Sequence, residues 1–256
     1  MRIVIKIGTS TLAHPSGLLN IKRVEELCKI MSDLKNAGNE IILVSSGAIA
    51  MGVGKLSLPE KPRDIPTRQA AAAVGQCELM YTYDKLFAEY NHTVAQILIT
   101  GDDVEHENRR HNFENTILRL LQLGVLPIIN ENDTISTDEI VIGDNDTLGA
   151  IVAKAVGADL FILLSDIDGL FTADPHKDEN ARLIDVVEEI TPEIEKMTGG
   201  AGSKLGTGGM TTKLKAAATA NAAGIDMVIA NGKNPKLLYD IVDGKNAGTK
   251  FLAKKA

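Results

Sequence analysis

The chain has 256 residues, 44% apolar and 24% charged, the make-up of a globular protein with room for one large α/β domain and a core that needs no disulfide or metal staple. A formal charge of −7 excludes a general nucleic-acid or membrane-surface binder, which needs a basic face, but leaves room for a local basic site. No apolar run is long enough to span a bilayer, the N-terminus has no leader-like segment, and Cys28 and Cys77 lack metal-ligand spacing, so the chain reads as cytoplasmic with two buried free thiols.

Short β-branched runs alternate with longer helical stretches. "RIVIKI" (2–7) reads as a strand. Residues 20–37 read as a helix: Asn20 is placed to cap it, Val24, Leu27, Cys28, Met31 and Leu34 recur at three and four, and Gly38 ends it. A strand at 40–46 runs into a small-residue helix, "GAIAMGVG" (47–54), and a long helix is expected over 67–90. Then come a strand at 93–100, a helix at 109–123 and a strand at 126–132 that opens into a polar loop. A helix at 146–156, a fully apolar strand at 160–166, a helix at 211–223, a strand at 226–232, a helix at 235–242 and a last strand at 249–252 complete the order.

The strands at 2–7, 41–45, 126–130, 160–165 and 226–230 are apolar on both faces, as expected when helices cover both sides of a mainly parallel sheet. No linker rich in Pro, Gly or Ser divides the chain. The expected fold is therefore α/β, a single three-layer αβα sandwich whose two lobes share one sheet. In such sheets ligands bind at the carboxyl ends of the strands. Five polar or glycine-rich segments follow expected strands: "KIGTS" (6–10), "SSGA" (45–48), "NENDT" (130–134), "SDIDG" (165–169) and "ANGKN" (230–234).

Each segment has a chemical and a plain reading. A lysine inside an apolar strand is costly to desolvate unless an anion pairs with it, so Lys6 either faces a phosphate or reaches solvent at the strand end. "VSSGAIAMG" (44–52) either turns backbone N–H groups toward an anion at a helix start or uses Ser45 or Ser46 as a simple cap. In "NENDTISTDEIVIGDNDTLGA" (130–150), Asn130, Asn132, Asp133, Asp144, Asn145 and Asp146 make a polar centre, with Asp144 or Asn145 near a helix N-cap. Carboxylates there suit an ammonium and amides the rest of a zwitterion. The segment lacks the D-x-D-x-D-G spacing of a calcium loop. Ser165 and Asp166 contact a ribose or purine, or merely serve the turns at Asp168-Gly169 and Asp174-Pro175. "LGTGGMTTKLKAAATA" (205–220) is not a Walker A loop, because Lys213 follows Thr212 rather than glycine; it is a glycine-rich cover for a phosphate or a linker. None of the five histidines is spaced as a metal-ligand pair.

Taken together and in order, "VIKIGTSTL" (4–12), "ILVSSGAIAMG" (42–52), "RQAAAAVGQCELM" (68–80), "QILIT" (96–100), "PIINENDT" (127–134), "GDNDTLGAIVA" (143–153), "LLSDIDGLFTADP" (163–175) and "GTGGMTTKLKAA" (206–217) resemble the amino acid kinase family across essentially the whole chain. The combination is specific although no single motif is. Within the family the resemblance is to members that phosphorylate the side-chain carboxylate of L-glutamate with ATP, giving L-glutamyl 5-phosphate at the start of proline biosynthesis. It implies catalytic roles for Lys6, Lys213 and Asp146, and glutamate binding by Ser46, Asp133, Asn145 and Asp144. It implies nucleotide binding by Lys6, Ser165, Asp166, Thr207, Gly208, Gly209, Met210, Thr211, Thr212 and Lys213. The N-terminal lobe (about 1–150) would hold the amino acid and the C-terminal lobe (about 151–256) the nucleotide. Mg²⁺ would arrive on the ATP phosphates, with no metal held by the protein. Also implied are a homo-oligomer (dimer or tetramer), proline as feedback inhibitor and handover to glutamate-5-semialdehyde dehydrogenase. Many members continue into a C-terminal PUA domain, which is absent from the expected organisation of these 256 residues.

Overall fold

The structure, a computed structural model, describes residues 1–135, 144–175, 178–196 and 209–253. In chain order the elements are β1 (Arg2–Ile7), α1 (Thr9–Leu12), α2 (Ile21–Asn36), β2 (Glu40–Val44), α3 (Ala48–Lys55), α4 (Ile65–Ala88), β3 (Val94–Ile99), α5 (Gly101–Glu105) and α6 (Glu107–Gln122). They continue with β4 (Leu126–Glu131), α7 (Asn145–Val156), β5 (Leu160–Ser165), β6 (Val186–Val187), α8 (Pro192–Lys196), α9 (Met210–Ala222), β7 (Asp226–Asn231), α10 (Leu237–Val242) and β8 (Thr249–Phe251). Among the described residues the strands form one sheet in the order β3-β4-β2-β1-β5-β7-β8-β6. Every pairing is parallel except that of β7 with β8. The expected αβα sandwich with a mainly parallel sheet is what forms.

The period-two alternation of the strands divides the core into two layers. Ile3, Ile5 and Ile7 of β1 face α2, α4 and α10, where Leu27, Met31, Leu79, Phe87 and Leu238 are buried. Val4 faces the other way, toward Leu148 and Val152 of α7, Leu214 of α9 and Ile117 of α6. Lys6 follows Val4 on this second face. Its register partners are Val44 on β2 and Leu163 on β5, so it lies between two ladders in mid-sheet.

Helices α3 and α4 cross with their backbones almost touching. A Cβ on Gly52 would lie 1.8 Å from the carbonyl oxygen of Ala71, and one on Gly75 1.8 Å from that of Ala48. No side chain fits at either position, so α3 and the loop before it are held against α4.

The differences from the expected elements lie at ends and in short pieces. Helix α4 starts at Ile65 rather than 67, because Asp64 caps it by accepting from the Thr67 N–H at 2.9 Å, with Pro66 in the first turn. Helices α1, α5 and α8 and the two-residue strand β6 are too short to carry a hydrophobic period and were not expected. Of the two thiols expected to be buried, Cys28 is, whereas Cys77 on α4 is exposed. No described helix is long and apolar enough to cross a membrane.

Candidate active site

The carboxyl ends of β1, β2, β4 and β5 open into a cavity of about 440 Å³. Four of the five polar segments line it, through Lys6 and Gly8–Ser10, Ser46–Ala48, Glu131 and Asp133, and Ser165 and Asp166. The fifth, 230–234, does not. Its Asn231 instead donates to Asp168 Oδ1 at 2.7 Å and accepts from the Lys233 N–H at 2.9 Å, tying two turns together.

The first turn of α7 carries the centre of the site. Asp144 caps it, its Oδ1 accepting from the N–H groups of Asp146 (2.7 Å) and Thr147 (2.8 Å). That cap fixes which way the next two side chains leave the helix. Asp146 turns inward, 1% exposed, and receives two lysines: Lys6 Nζ on Oδ1 at 2.5 Å and Lys213 Nζ on Oδ2 at 2.9 Å. Both lysines are buried, 8% and 5% exposed. Lys213 sits in the first turn of α9, so it is delivered by a helix rather than by the glycine-rich loop before it.

Asn145 leaves the same turn in the other direction. Its Nδ2 shares two hydrogens among three acceptors, Ser46 Oγ (2.8 Å), the Ser45 carbonyl (2.9 Å) and Asn130 Oδ1 (3.1 Å). The Ser45–Ser46 turn exists because Gly47 follows it with φ +92°, a left-handed conformation that strains any side chain, and then starts α3. Beneath the turn, Ser45 Oγ lies 3.0 Å from the hydroxyl of Tyr83, which is fully buried on α4.

The carboxylates around the cavity differ in electrostatics. Burial alone would raise the Asp146 carboxyl, but the Lys6 and Lys213 ammoniums outweigh it and hold the group below its ordinary value. Asp133 is pushed up by burial, partly offset by the charge of Arg68. Burial also pushes Asp144 up, against the N–H bonds from its helix and with Asp146 nearby adding to the rise.

Of the segment named for the nucleotide, Lys213 lines the cavity, whereas Gly209, Met210, Thr211 and Thr212 do not. Thr212 Oγ1 lies 2.8 Å from the Gly209 carbonyl, closing the first turn of α9, and 3.4 Å from Asp146 Oδ2. Thr207 and Gly208 lie outside the described residues. Sequence reasoning missed Glu131, Arg68, Gln76 and Tyr83. Glu131 and Arg68 line the cavity, and Arg68 was visible as a lone cation opening an Ala-rich helix. Gln76 and Tyr83 are polar groups at core spacing on α4, which was the only signal they gave.

Among the described residues no group of three or more His, Cys, Asp and Glu side chains is placed to hold a metal ion. The nearest donor set is already engaged: both oxygens of Asp146 take lysines, and Asp144 Oδ1 takes two backbone N–H groups. These residues do not form a cage for a divalent cation.

Residues 1–231 match the amino acid kinase family. The chain belongs to the amino acid kinase family. Among relatives of this amino acid kinase, the glutamate 5-kinase of Clostridium perfringens is 54% identical over 99% of this chain and 96% of that protein. The glutamate 5-kinase of Caldanaerobacter subterraneus is 51% identical over 100% of this chain but 68% of its own length. An isopentenyl phosphate kinase of T. acidophilum superposes with a TM-score of 0.67 over 98% of this chain and 100% of that one. At 16% identity, that likeness concerns the fold alone.

Proposed function

We propose that this amino acid kinase transfers the γ-phosphoryl group of ATP to the side-chain carboxylate of L-glutamate, releasing ADP and L-glutamyl 5-phosphate, the entry reaction of proline biosynthesis. The observation that carries the reading is the pair of buried lysines meeting at Asp146 in a cavity also lined by Ser46, Asn145 and the carboxylate of Asp133. The lysines suit phosphoryl oxygens, and the hydroxyl, amide and carboxylate suit the polar groups of an amino acid. Identity above 50% to glutamate 5-kinases along the whole chain supports the same substrate.

The chemistry asks little of the protein beyond placement. The acceptor carboxylate is ionised at neutral pH, with an ordinary pKa of about 4.3, so no general base has to remove a proton. Catalysis then consists of aligning two anions and offsetting their repulsion. Lys6 and Lys213 supply positive charge where the anions meet, and Asp146 keeps both ammoniums aimed at that point. Ser46, Asn145 and Asp133 hold glutamate, with Asp144 fixing the turn that carries Asn145. Ser165 and Asp166 serve the nucleotide together with the segment up to Lys213. The amino acid thus belongs to the lobe of about 1–150 and the nucleotide to that of about 151–256. Mg²⁺ comes with ATP and offsets charge on its phosphates. An acyl phosphate hydrolyses readily, so a reductase acting next is the natural recipient.

ADP release with Mg-ATP over a panel of amino acids tests the reading. Glutamate should be turned over well ahead of aspartate and N-acetylglutamate. Faster turnover of either, or no turnover of any, would overturn it.

A further inference from the structure

Three amides form a relay from α4 to α7 around the carboxyl end of the sheet, linking helices that cover opposite faces. Gln76 on α4, 7% exposed, accepts from Asn130 Nδ2 at 2.9 Å. Asn130, 1% exposed near the end of β4, accepts through its Oδ1 from the Glu131 N–H (2.9 Å) and from Asn145 Nδ2 (3.1 Å). Asn145 in turn donates to Ser46 Oγ and the Ser45 carbonyl.

The direction of every bond in this relay is set by groups that cannot change role. A backbone N–H can only donate, so the Asn130 atom facing Glu131 is oxygen. Its amide nitrogen therefore points at Gln76, which must present oxygen. At the far end the Ser45 carbonyl can only accept, so Asn145 must present nitrogen to it. Ser46 Oγ is thus an acceptor toward the protein, and among the described residues no acceptor takes its hydroxyl hydrogen. Ser46 lines the cavity and has that hydrogen left to give. A donor at this position recognises a carboxylate and not an ammonium. If Asn145 were turned over, its oxygen would confront the oxygens of Asn130 and Ser45, and the preference at Ser46 would be lost.

We infer that Gln76 is a positioning residue for substrate binding: by anchoring the Asn130 side chain it keeps Asn130 Oδ1 against the Asn145 amide, whose orientation the Ser45 carbonyl sets, and so keeps the Ser46 hydroxyl as a donor to the substrate carboxylate. The inference rests on the functional reading above. Gln76 touches neither lysine, so its loss should act on glutamate and spare the nucleotide. A buried amide left without its partner is destabilised enough to matter, and Asn130 regains one only by disturbing Asn145.

The test is steady-state ADP release, with glutamate varied at saturating Mg-ATP and then the reverse. Gln76→Met, similar in volume but without the acceptor, should raise KM for glutamate about tenfold, with kcat and KM for ATP within about twofold of wild type. Gln76→Glu keeps an oxygen for Asn130 and should return KM for glutamate to within about threefold of wild type. Should Gln76→Met not fold, Gln76→Asn withdraws the acceptor while staying polar and carries the same expectation. An unchanged KM for glutamate in the Met or Asn variant would overturn the inference. So would equal losses for ATP, or a Glu variant as impaired as Met. A wild-type protein without glutamate-dependent ADP release sinks the functional reading; an active wild type with an indifferent Gln76 sinks only the relay.

Discussion

The two walls of the cavity solve the same problem, holding polar groups still in a buried place, by different means. The Lys6–Asp146–Lys213 wall uses charge: one carboxylate between two ammoniums, each desolvated and each dependent on the others. The Ser46–Asn145 wall, backed by Asn130 and Gln76 behind the lining, uses neutral amides whose bond directions are dictated by fixed backbone groups. The ionic wall is strong but has no built-in direction, since an ammonium turns to whatever anion is offered. The amide wall is weaker bond for bond but has a definite polarity. Transfer of a phosphoryl group calls for the first property, and discrimination between amino acids for the second.

The comparison breaks hardest at Asp146. Asp146→Asn leaves two buried ammoniums without a counter-charge, and removal of one member of a buried ionic group destabilises by about 3–5 kcal/mol. The expected fall in melting midpoint is roughly 10 °C or more without nucleotide, partly recovered by ADP, whose phosphates replace the missing anion. A midpoint equal to wild type would mean the lysines are not truly desolvated. The same group sets an acid limit for the wild type. Its folded pKa lies below its ordinary value near 3.8, so the stability from its ion pairs is complete above that value and is lost as pH falls through the lower folded one. Melting curves of the Asn variant should lack that part of the acid dependence.

Next in size is Lys213→Ala. On the proposed role of Lys213, loss of one donor aimed at developing charge should lower the rate by about 10²–10³. Here kcat should fall while KM for glutamate stays near wild type, since the amide wall is untouched. An unimpaired kcat would remove Lys213 from the chemistry.

The smallest effect is expected at Tyr83→Phe. It removes the hydroxyl beside Ser45 Oγ and leaves the ring packed beside Phe87, with which it is tilted at 6.3 Å. A raised KM for glutamate of about threefold, with kcat unchanged, is the outcome for a lost neutral hydrogen bond. A change in kcat alone would show that this side of the cavity serves the ionic wall as well.

Much of this arrangement was legible in the chain. Apolar runs at 2–7, 126–130 and 160–165 announced buried parallel strands, and the polar segments after them marked the edge where the cavity lies. Lys6 stood out because an apolar strand has no ordinary use for it. What stayed hidden depends on three-dimensional neighbours. The sequence placed Asp144 or Asn145 at the N-cap, but nothing in the spacing says which of the two it is, that Asn145 joins an amide relay or that Asp146 receives two lysines; the cap geometry of α7 decides it. Gln76 and Tyr83 were masked by core periodicity on α4, since a buried polar group and a buried apolar one occupy the same positions in a helical pattern. Short elements such as α1 and β6 are held by their surroundings and leave no pattern to read.

One consequence follows from the carboxylate between the two lysines. It acts as a resident counter-ion, and any incoming anion must compete with it. A small monovalent ion such as chloride gains little by displacing a partner already held at 2.5 and 2.9 Å. A polyphosphate, bringing several negative charges at once, has the charge to offset both ammoniums together. On this electrostatic ground, charge number weighs before shape in what the pair of lysines accepts.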